Sequence, residues 1–389
     1  MNWINSKIFK LLGVDSGLAY VTLGNLGSAI LGALFWLILA SLLIAESYGQ
    51  LNYLLASTFI FGTVALLGLN PTVTTFTAKG NGKIKYQSNM LALVSSVAFI
   101  APLILLTGYL QLSVLLIGVA FFQMSMAELL GRKRYREYTL ILVGQRAAQI
   151  ALGISLYFLY GMDGIIFGYT ISFLAFSYRY FLTVKHFRPD IQHIRTNFKF
   201  MVHSYTMELA RTVSMFSDKL LIAPLFGFAM LGIYQLGAQF LLFLGMIPTI
   251  LYHYLLPQEA SGNHSRKIGV GSFVISSILA AIFVVAVPWV ITNFFPNFIS
   301  SIFPAQIMSI GIIPMTATSI LSSRFLGMGR SRPVFIGAAI YVATQYATIT
   351  ILGKMFGISG LALSLVIALT VQSVYLLAAR RLQKPLIAK

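Results

Sequence analysis

KHFRPDIQHIRTNFK, running from Lys185 to Lys199, is the longest polar stretch in the chain and sits at its middle. On either side the sequence is almost wholly apolar. Before it, apolar runs fall near 18–44, 50–70, 88–109, 113–131, 138–160 and 163–184. After it they fall near 201–226, 230–256, 268–292, 300–323, 333–353 and 358–379. Each run approaches the roughly 20 residues that a helix needs to cross a hydrocarbon core. The 389 residues are 58% hydrophobic and 9% charged, with mean hydropathy +0.85, whereas soluble domains are about 25% charged. No stretch alternates at period two, which argues against a membrane β-barrel. The expectation is an all-α polytopic membrane protein of about twelve transmembrane helices, a lobe of residues 1–190 and a lobe of residues 191–389, joined by a linker at 185–199.

Charge divides the connections into two kinds. One set carries Lys79, Lys83 and Lys85, then Arg132, Lys133, Arg134 and Arg136, then the central stretch, then Arg266 and Lys267, then Arg330 and Arg332. The alternate connections hold Glu46, Asp163 and one base, Lys354. Basic connections mark the cytoplasmic side, so both termini and the 185–199 stretch are expected in the cytoplasm of a plasma or inner-membrane protein. The first 17 residues, with Lys7, Lys10 and Asp15, read as an amphipathic lead-in and are too polar for a cleavable signal. A net charge of +18 does not imply nucleic acid, because the bases recur between apolar runs and form no single face. The absence of cysteine excludes disulfides and thiolate chemistry.

The halves repeat. Leu130-Gly131 recurs as Leu326-Gly327, and Gly161-Met162-Asp163-Gly164 as Gly357-Ile358-Ser359-Gly360, both 196 positions on. Gly80-Asn81 recurs as Gly262-Asn263, and Pro71 as Pro257, at similar spacing. An even number of spans per half makes this a parallel repeat about an axis along the membrane normal. Such repeats are typical of secondary transporters.

Four motifs carry a family resemblance. LASLLIAESYGQLN (39–52) resembles the "LA…L.P.EYG" signature of polysaccharide exporters. SDKLLIAPLFGFAMLGIYQLGAQF (217–240) resembles "D+.LLG…G…VG.Y..A", with Asp218, Lys219, Gly232 and Tyr234 in the matching places. LLGRKRY (129–135) and FLGMGRSR (325–332) resemble the family's "ALGR.+" loops. The chain is thereby similar to the polysaccharide and oligosaccharide-lipid flippase branch of the multidrug/oligosaccharidyl-lipid/polysaccharide (MOP) exporter superfamily. The resemblance implies two six-helix lobes in a V, MATE-like, working by alternating access on a lipid-linked sugar.

Ionisable residues at bilayer depth are costly and so are functional candidates. Arg146 lies roughly 12 Å into the fifth span at about 1.5 Å per residue. Glu208, Arg211, Asp218 and Lys219 lie in the seventh, the first three along one helical face. Arg146, Arg211 and Lys219 are candidates for a diphosphate, which arginine binds bidentately. Glu208 and Asp218 are candidates for coupling to a proton or sodium ion. The alternatives are that Glu208–Arg211 only neutralises itself, and that Lys219 snorkels outward. Asn25, Gln145, Gln149, Gln235 and Gln239 suit sugar hydroxyls, or equally helix-to-helix bonds. Trp36 and Tyr234 are candidates for stacking on a sugar ring, with interfacial anchoring as the alternative. Glu128 and Arg132 read as an interfacial pair.

The leading expectation is a flippase for polyprenyl-diphosphate-linked oligosaccharide, without a cofactor, serving polysaccharide biosynthesis beside a glycan polymerase and glycosyltransferases. A MATE-type cation-coupled drug antiporter is the alternative, though the first span holds no acid. The peptidoglycan-precursor branch usually has two further helices. A membrane glycan polymerase or glycosyltransferase needs a catalytic outer loop, and every expected outer loop is short. No Gly-rich nucleotide loop is present.

Overall fold

A computed structural model of the chain describes residues 16–184, 192–260 and 266–382. Residues 1–15 of the expected lead-in, Lys185 and Arg188 of the central stretch, and Gly262-Asn263 lie outside the described residues. The helices are α1 (Ser16–Leu42), α2 (Ala45–Leu66), α3 (Leu69–Ala78), α4 (Ile84–Ala98), α5 (Ile100–Thr107), α6 (Gln111–Gly131), α7 (Tyr135–Ala175), α8 (Tyr178–Val184), α9 (Gln192–Thr196) and α10 (Phe198–Phe226). They continue as α11 (Phe228–Leu244), α12 (Met246–Ala260), α13 (Arg266–Phe294), a 3-10 turn at Pro296–Ser301, α14 (Ile302–Ile310), α15 (Ile312–Gly327) and α16 (Arg332–Leu382).

Among the described residues, nine helical segments are long and apolar enough to cross a bilayer. Two of them, α7 and α16, contain a reversal. At Gly161 the backbone has φ 62° and ψ −139°, and at Gly357 it has φ 56° and ψ −131°. Glycine adopts this left-handed region without a Cβ clash. The arms then lie against each other. A Cβ on Gly164 would fall 2.0 Å from Leu156 O, and one on Gly360 would fall 1.9 Å from Leu352 O. All four positions repeat at the spacing of 196, so the recurring Gly-x-x-Gly pattern encodes the same hairpin twice. The 29-residue α10 carries Lys199, Glu208, Arg211, Asp218 and Lys219 and is not among the nine. Nine segments, two extra arms and α10 make up the twelve spans expected.

The chain divides into two compact units: Leu54–Thr212 with the residues through Phe35, and Trp36–Tyr53 with Val213–Lys389. The division of these units falls inside α10, between Thr212 and Val213, and places 36–53 with the second unit. Packing explains both placements. In the first unit, a Cβ on Gly68 would lie 2.5 Å from Met201 O, and the Thr63 and Thr212 hydroxyls are 3.1 Å apart. The first half of α10 is therefore built into the helices before it. In the second unit, α2 crosses α11 glycine to glycine. A Cβ on Gly49 would meet Phe228 O at 1.9 Å, and one on Gly232 would meet Ala45 O at 1.8 Å. Tyr48 then packs edge-on to Phe298 at 5.5 Å. Two of the family-like motifs, ESYG and GIY, thus owe their glycines to one backbone contact. Lipid tails are as apolar as leucine, so such close approach is the main adhesive between membrane helices.

Each unit has its own apolar core. In the first, Phe121 stacks on Tyr180 at 3.8 Å among Leu69, Val73 and Met124. In the second, Leu231, Tyr234, Met308 and Leu361 are buried together. Leu105, Phe158, Leu159 and Val285 are among the most exposed residues, as expected of surfaces solvated by lipid.

Buried ion pairs tie the helix ends. Glu128 accepts from Lys85 Nζ at 2.7 Å, Arg132 Nε at 2.8 Å and Arg179 Nη2 at 3.3 Å. Arg179 Nη1 also donates to Glu137 at 3.0 Å. The expected Glu128–Arg132 pair is present, and the two long-range cations make it the hub of a network. In the second unit the position 196 residues beyond Glu128 is Arg324, whose Nε donates to Glu259 at 3.0 Å. The repeat keeps the charged position and inverts its sign.

Candidate functional site

Arg146 stands on the first arm of α7, in the first unit. Its Nε donates to Ser28 Oγ of α1 at 3.3 Å and its Nη1 to Gln149 Oε1 at 2.8 Å. Gln149 Oε1 also accepts from Gln145 Nε2 at 3.3 Å, and Gln145 Nε2 donates to Ser172 Oγ on the returning arm at 3.1 Å. Nearby, Tyr138 donates to Asn25 Oδ1 at 3.1 Å. The hairpin at Gly161 brings Ser172 alongside Gln145, and Tyr169 beside Phe35 at 5.5 Å. Asn25, Gln145, Arg146 and Gln149, four of the residues singled out from the sequence, therefore belong to one polar layer between α1 and the two arms of α7.

Among the described residues no carboxylate pairs with Arg146, and only neutral oxygens accept from it. A guanidinium stays charged in any surroundings. Held by an amide and a hydroxyl alone, it leaves a positive charge uncompensated at bilayer depth, where such a charge is costly. The rest of its N–H fork is free to donate. The arrangement can bind an anionic group bidentately.

The other candidates are placed differently. Arg211 and Glu208 lie in the same unit as Arg146, although the family resemblance would put their span in the opposite lobe. Arg211 Nη2 and Glu208 Oε2 are 3.6 Å apart, with the arginine side chain 77% exposed. In the second unit, Lys219 does not snorkel. It is buried, with its Nζ donating to Asp218 Oδ1 at 3.1 Å and to Met215 O at 3.3 Å. Tyr234 donates to Asp218 Oδ2 at 3.1 Å, and Gln345 Nε2 to Tyr234 Oη at 3.5 Å. Tyr234 is fully buried and offers no face to a sugar ring, and Trp36 packs edge-on to Tyr48. Gln235 and Gln239 are buried along α11. Of these four side chains, Trp36 is partly exposed and the other three are buried.

Ser28, Tyr169 and Ser172 were not legible as site residues, since a hydroxyl in a membrane helix usually bonds its own backbone. Gln345 did have a signal: it lies 196 positions after Gln149. The corresponding pair, Gln145 and Tyr341, places two polar side chains in each unit on the same stretch of the repeated hairpin.

The Asp218–Lys219 pair makes a direct prediction. Asp218→Asn strands a buried ammonium and is expected to lower stability by about 3 kcal/mol. Asp218→Asn with Lys219→Gln removes both charges and should recover most of that loss. Melting of the detergent-purified variants measures both, and equal loss in the single and double variants would mean the pair does not act as one.

The fold is similar to those of solved transporters. Lipid II flippase MurJ, in an inward closed conformation, superposes with TM-score 0.70 at 14% identity, over 93% of this chain and 87% of that one. An inward-facing multidrug resistance MATE family transporter of the MOP superfamily gives 0.66 at 17% identity, over 92% and 94%. A MOP superfamily transporter from Pyrococcus furiosus, described as having a binding pocket of reverse polarity, gives 0.57 at 17%, over 94% and 92%. No family model and no curated protein matches the chain. The chain has the fold of the MOP-superfamily transporters, and these neighbours are transporters and flippases, not enzymes.

Proposed function

We propose that this chain, with its MOP-transporter fold, is a flippase that carries a polyprenyl-diphosphate-linked oligosaccharide from the inner to the outer leaflet for surface polysaccharide assembly. The observation that carries the reading is Arg146, a cation held deep in the first unit by neutral oxygens only. A diphosphate supplies the missing negative charge and the planar pair of oxygens that a guanidinium fits. The exposed Asn25 supplies an amide to the sugar beside it, the buried Gln145 and Gln149 brace the guanidinium, and the prenyl tail stays in lipid. Alternating access of the two halves then moves the head group across. The flippase among the structural neighbours, named for a lipid-linked cargo, supports the same class of substrate. Glycosyltransferases on the inner side would make the cargo and a polymerase on the outer side would use it, with both termini cytoplasmic.

A cation antiporter needs an acid free to meet its cargo. Here Asp218 is neutralised by Lys219 and Glu208 by Arg211, so both acids are better read as packing charges than as carriers of a coupling ion. A cationic drug would also be repelled by Arg146. In cells lacking the protein, the lipid-linked oligosaccharide should accumulate on the inner leaflet with no gain in sensitivity to cationic dyes. Normal surface glycan with raised dye sensitivity would favour the antiporter.

A further inference from the structure

At one end of the second unit, α13, α15 and α16 enclose a cavity of about 180 Å³. Its walls are Val270, Phe273, Ile320, Leu321 and Leu377. Val270, Phe273 and Leu377 are also open to the outside, where the surroundings are lipid. The polar end belongs to Arg324 and Arg380. Each is the lining residue nearest the end of its helix, and α16 returns through Gly357 to the end where the basic segment Arg330–Arg332 lies. The cavity is therefore graded from apolar depth to cationic mouth along α15 and α16, with α13 closing its apolar side.

The charges at the mouth do not cancel. Glu259 engages Arg324 through Nε alone, which leaves the terminal guanidinium nitrogens available. Arg380 is exposed and makes no ion pair among the described residues. Among the described residues, two guanidiniums against one carboxylate leave net positive charge beside an apolar slot.

We propose that this cavity is a binding site for an anionic phospholipid, with the headgroup phosphate on Arg380 and Arg324 and an acyl chain along Val270, Phe273 and Leu377. The site is separate from Arg146 and does not rest on the flippase reading. Juxtamembrane cations attract anionic lipid in general. The built slot beneath them is what gives this one a single seat. The expected side is the cytoplasmic leaflet, which the basic connections face.

The test is native mass spectrometry of the full-length protein released from equal mixtures of phosphatidylglycerol and phosphatidylcholine. Wild type should retain phosphatidylglycerol preferentially. Arg380→Gln, an exposed change that leaves the Glu259–Arg324 pair intact, should cut retention about fivefold. Gly269→Leu should do the same without altering charge. A side chain there has room to enter the cavity, since the nearest heavy atom to its Cβ is 4.0 Å away, on Arg324. Equal retention by wild type and both variants overturns the proposal, as does equal retention of phosphatidylcholine. Displacement by millimolar glycerol 3-phosphate would show a free-phosphate site instead of a lipid one.

Discussion

Arg146→Ala is expected to abolish transport while leaving the protein inserted and at least as stable as wild type. The two effects have opposite signs because the residue is costly to the empty protein and useful only to the loaded one. Among the described residues its charge has no carboxylate partner, so removing it relieves a desolvation penalty. Gln149 Oε1 keeps its bond from Gln145, so no amide is stranded. Binding a diphosphate, by contrast, loses a buried charge-assisted pair, worth about 3 kcal/mol or roughly a hundredfold in affinity. Arg146→Lys should recover part of that, since an ammonium supplies charge without the planar fork. Affinity for a prenyl diphosphate and the melting temperature, measured on the same preparations, check the claim. A fall in stability that parallels the loss of transport would make Arg146 a packing residue. Arg211 is expected to behave otherwise: with Glu208 as its partner, Glu208→Gln together with Arg211→Gln should still transport.

The second large effect is structural. Glu128→Gln should destabilise the first unit by about 5 kcal/mol, at the upper end of what breaking a buried ion pair costs. The carboxylate compensates Lys85 and Arg179, whose side chains are only 8% and 10% exposed, as well as the more open Arg132. Glutamine keeps the shape and one acceptor but leaves those cations repelling one another in a low dielectric. Lys85→Met in the same background should restore part of the loss. Melting or hydrogen exchange of α4, α6 and α8 reads this directly, and a change below about 1 kcal/mol would mean that water reaches the cluster.

The sequence and the structure agree where local chemistry governs. The spans were legible because bilayer thickness fixes their length, and the hairpins because only glycine takes the backbone of Gly161 and Gly357. Arg146 was legible because a charge inside an apolar run has no bland explanation nearby. The rest depends on contacts between distant residues. The Gly49–Gly232 crossing, which assigns 36–53 to the second unit, looks in sequence like any two glycines in membrane helices. Nothing near Glu128 announces Lys85 or Arg179, 43 and 51 positions away. Lys219 has a stem long enough to reach either water or Asp218, and only the packing around α10 and α11 decides for Asp218. The break inside α10 follows the same logic: one unbroken helix gives no local sign that its two halves pack into different units.

Reconstituted flipping tests the central claim most directly. The full chain in proteoliposomes, given a fluorescent prenyl-diphosphate-linked saccharide in both leaflets, should render the inner pool accessible to a membrane-impermeant quencher within the assay. The Arg146→Ala protein, inserted to the same level, should not. Vesicles in which wild type leaves the labelled lipid in place but exchanges a cationic dye for protons or sodium would contradict the account and identify a cation antiporter.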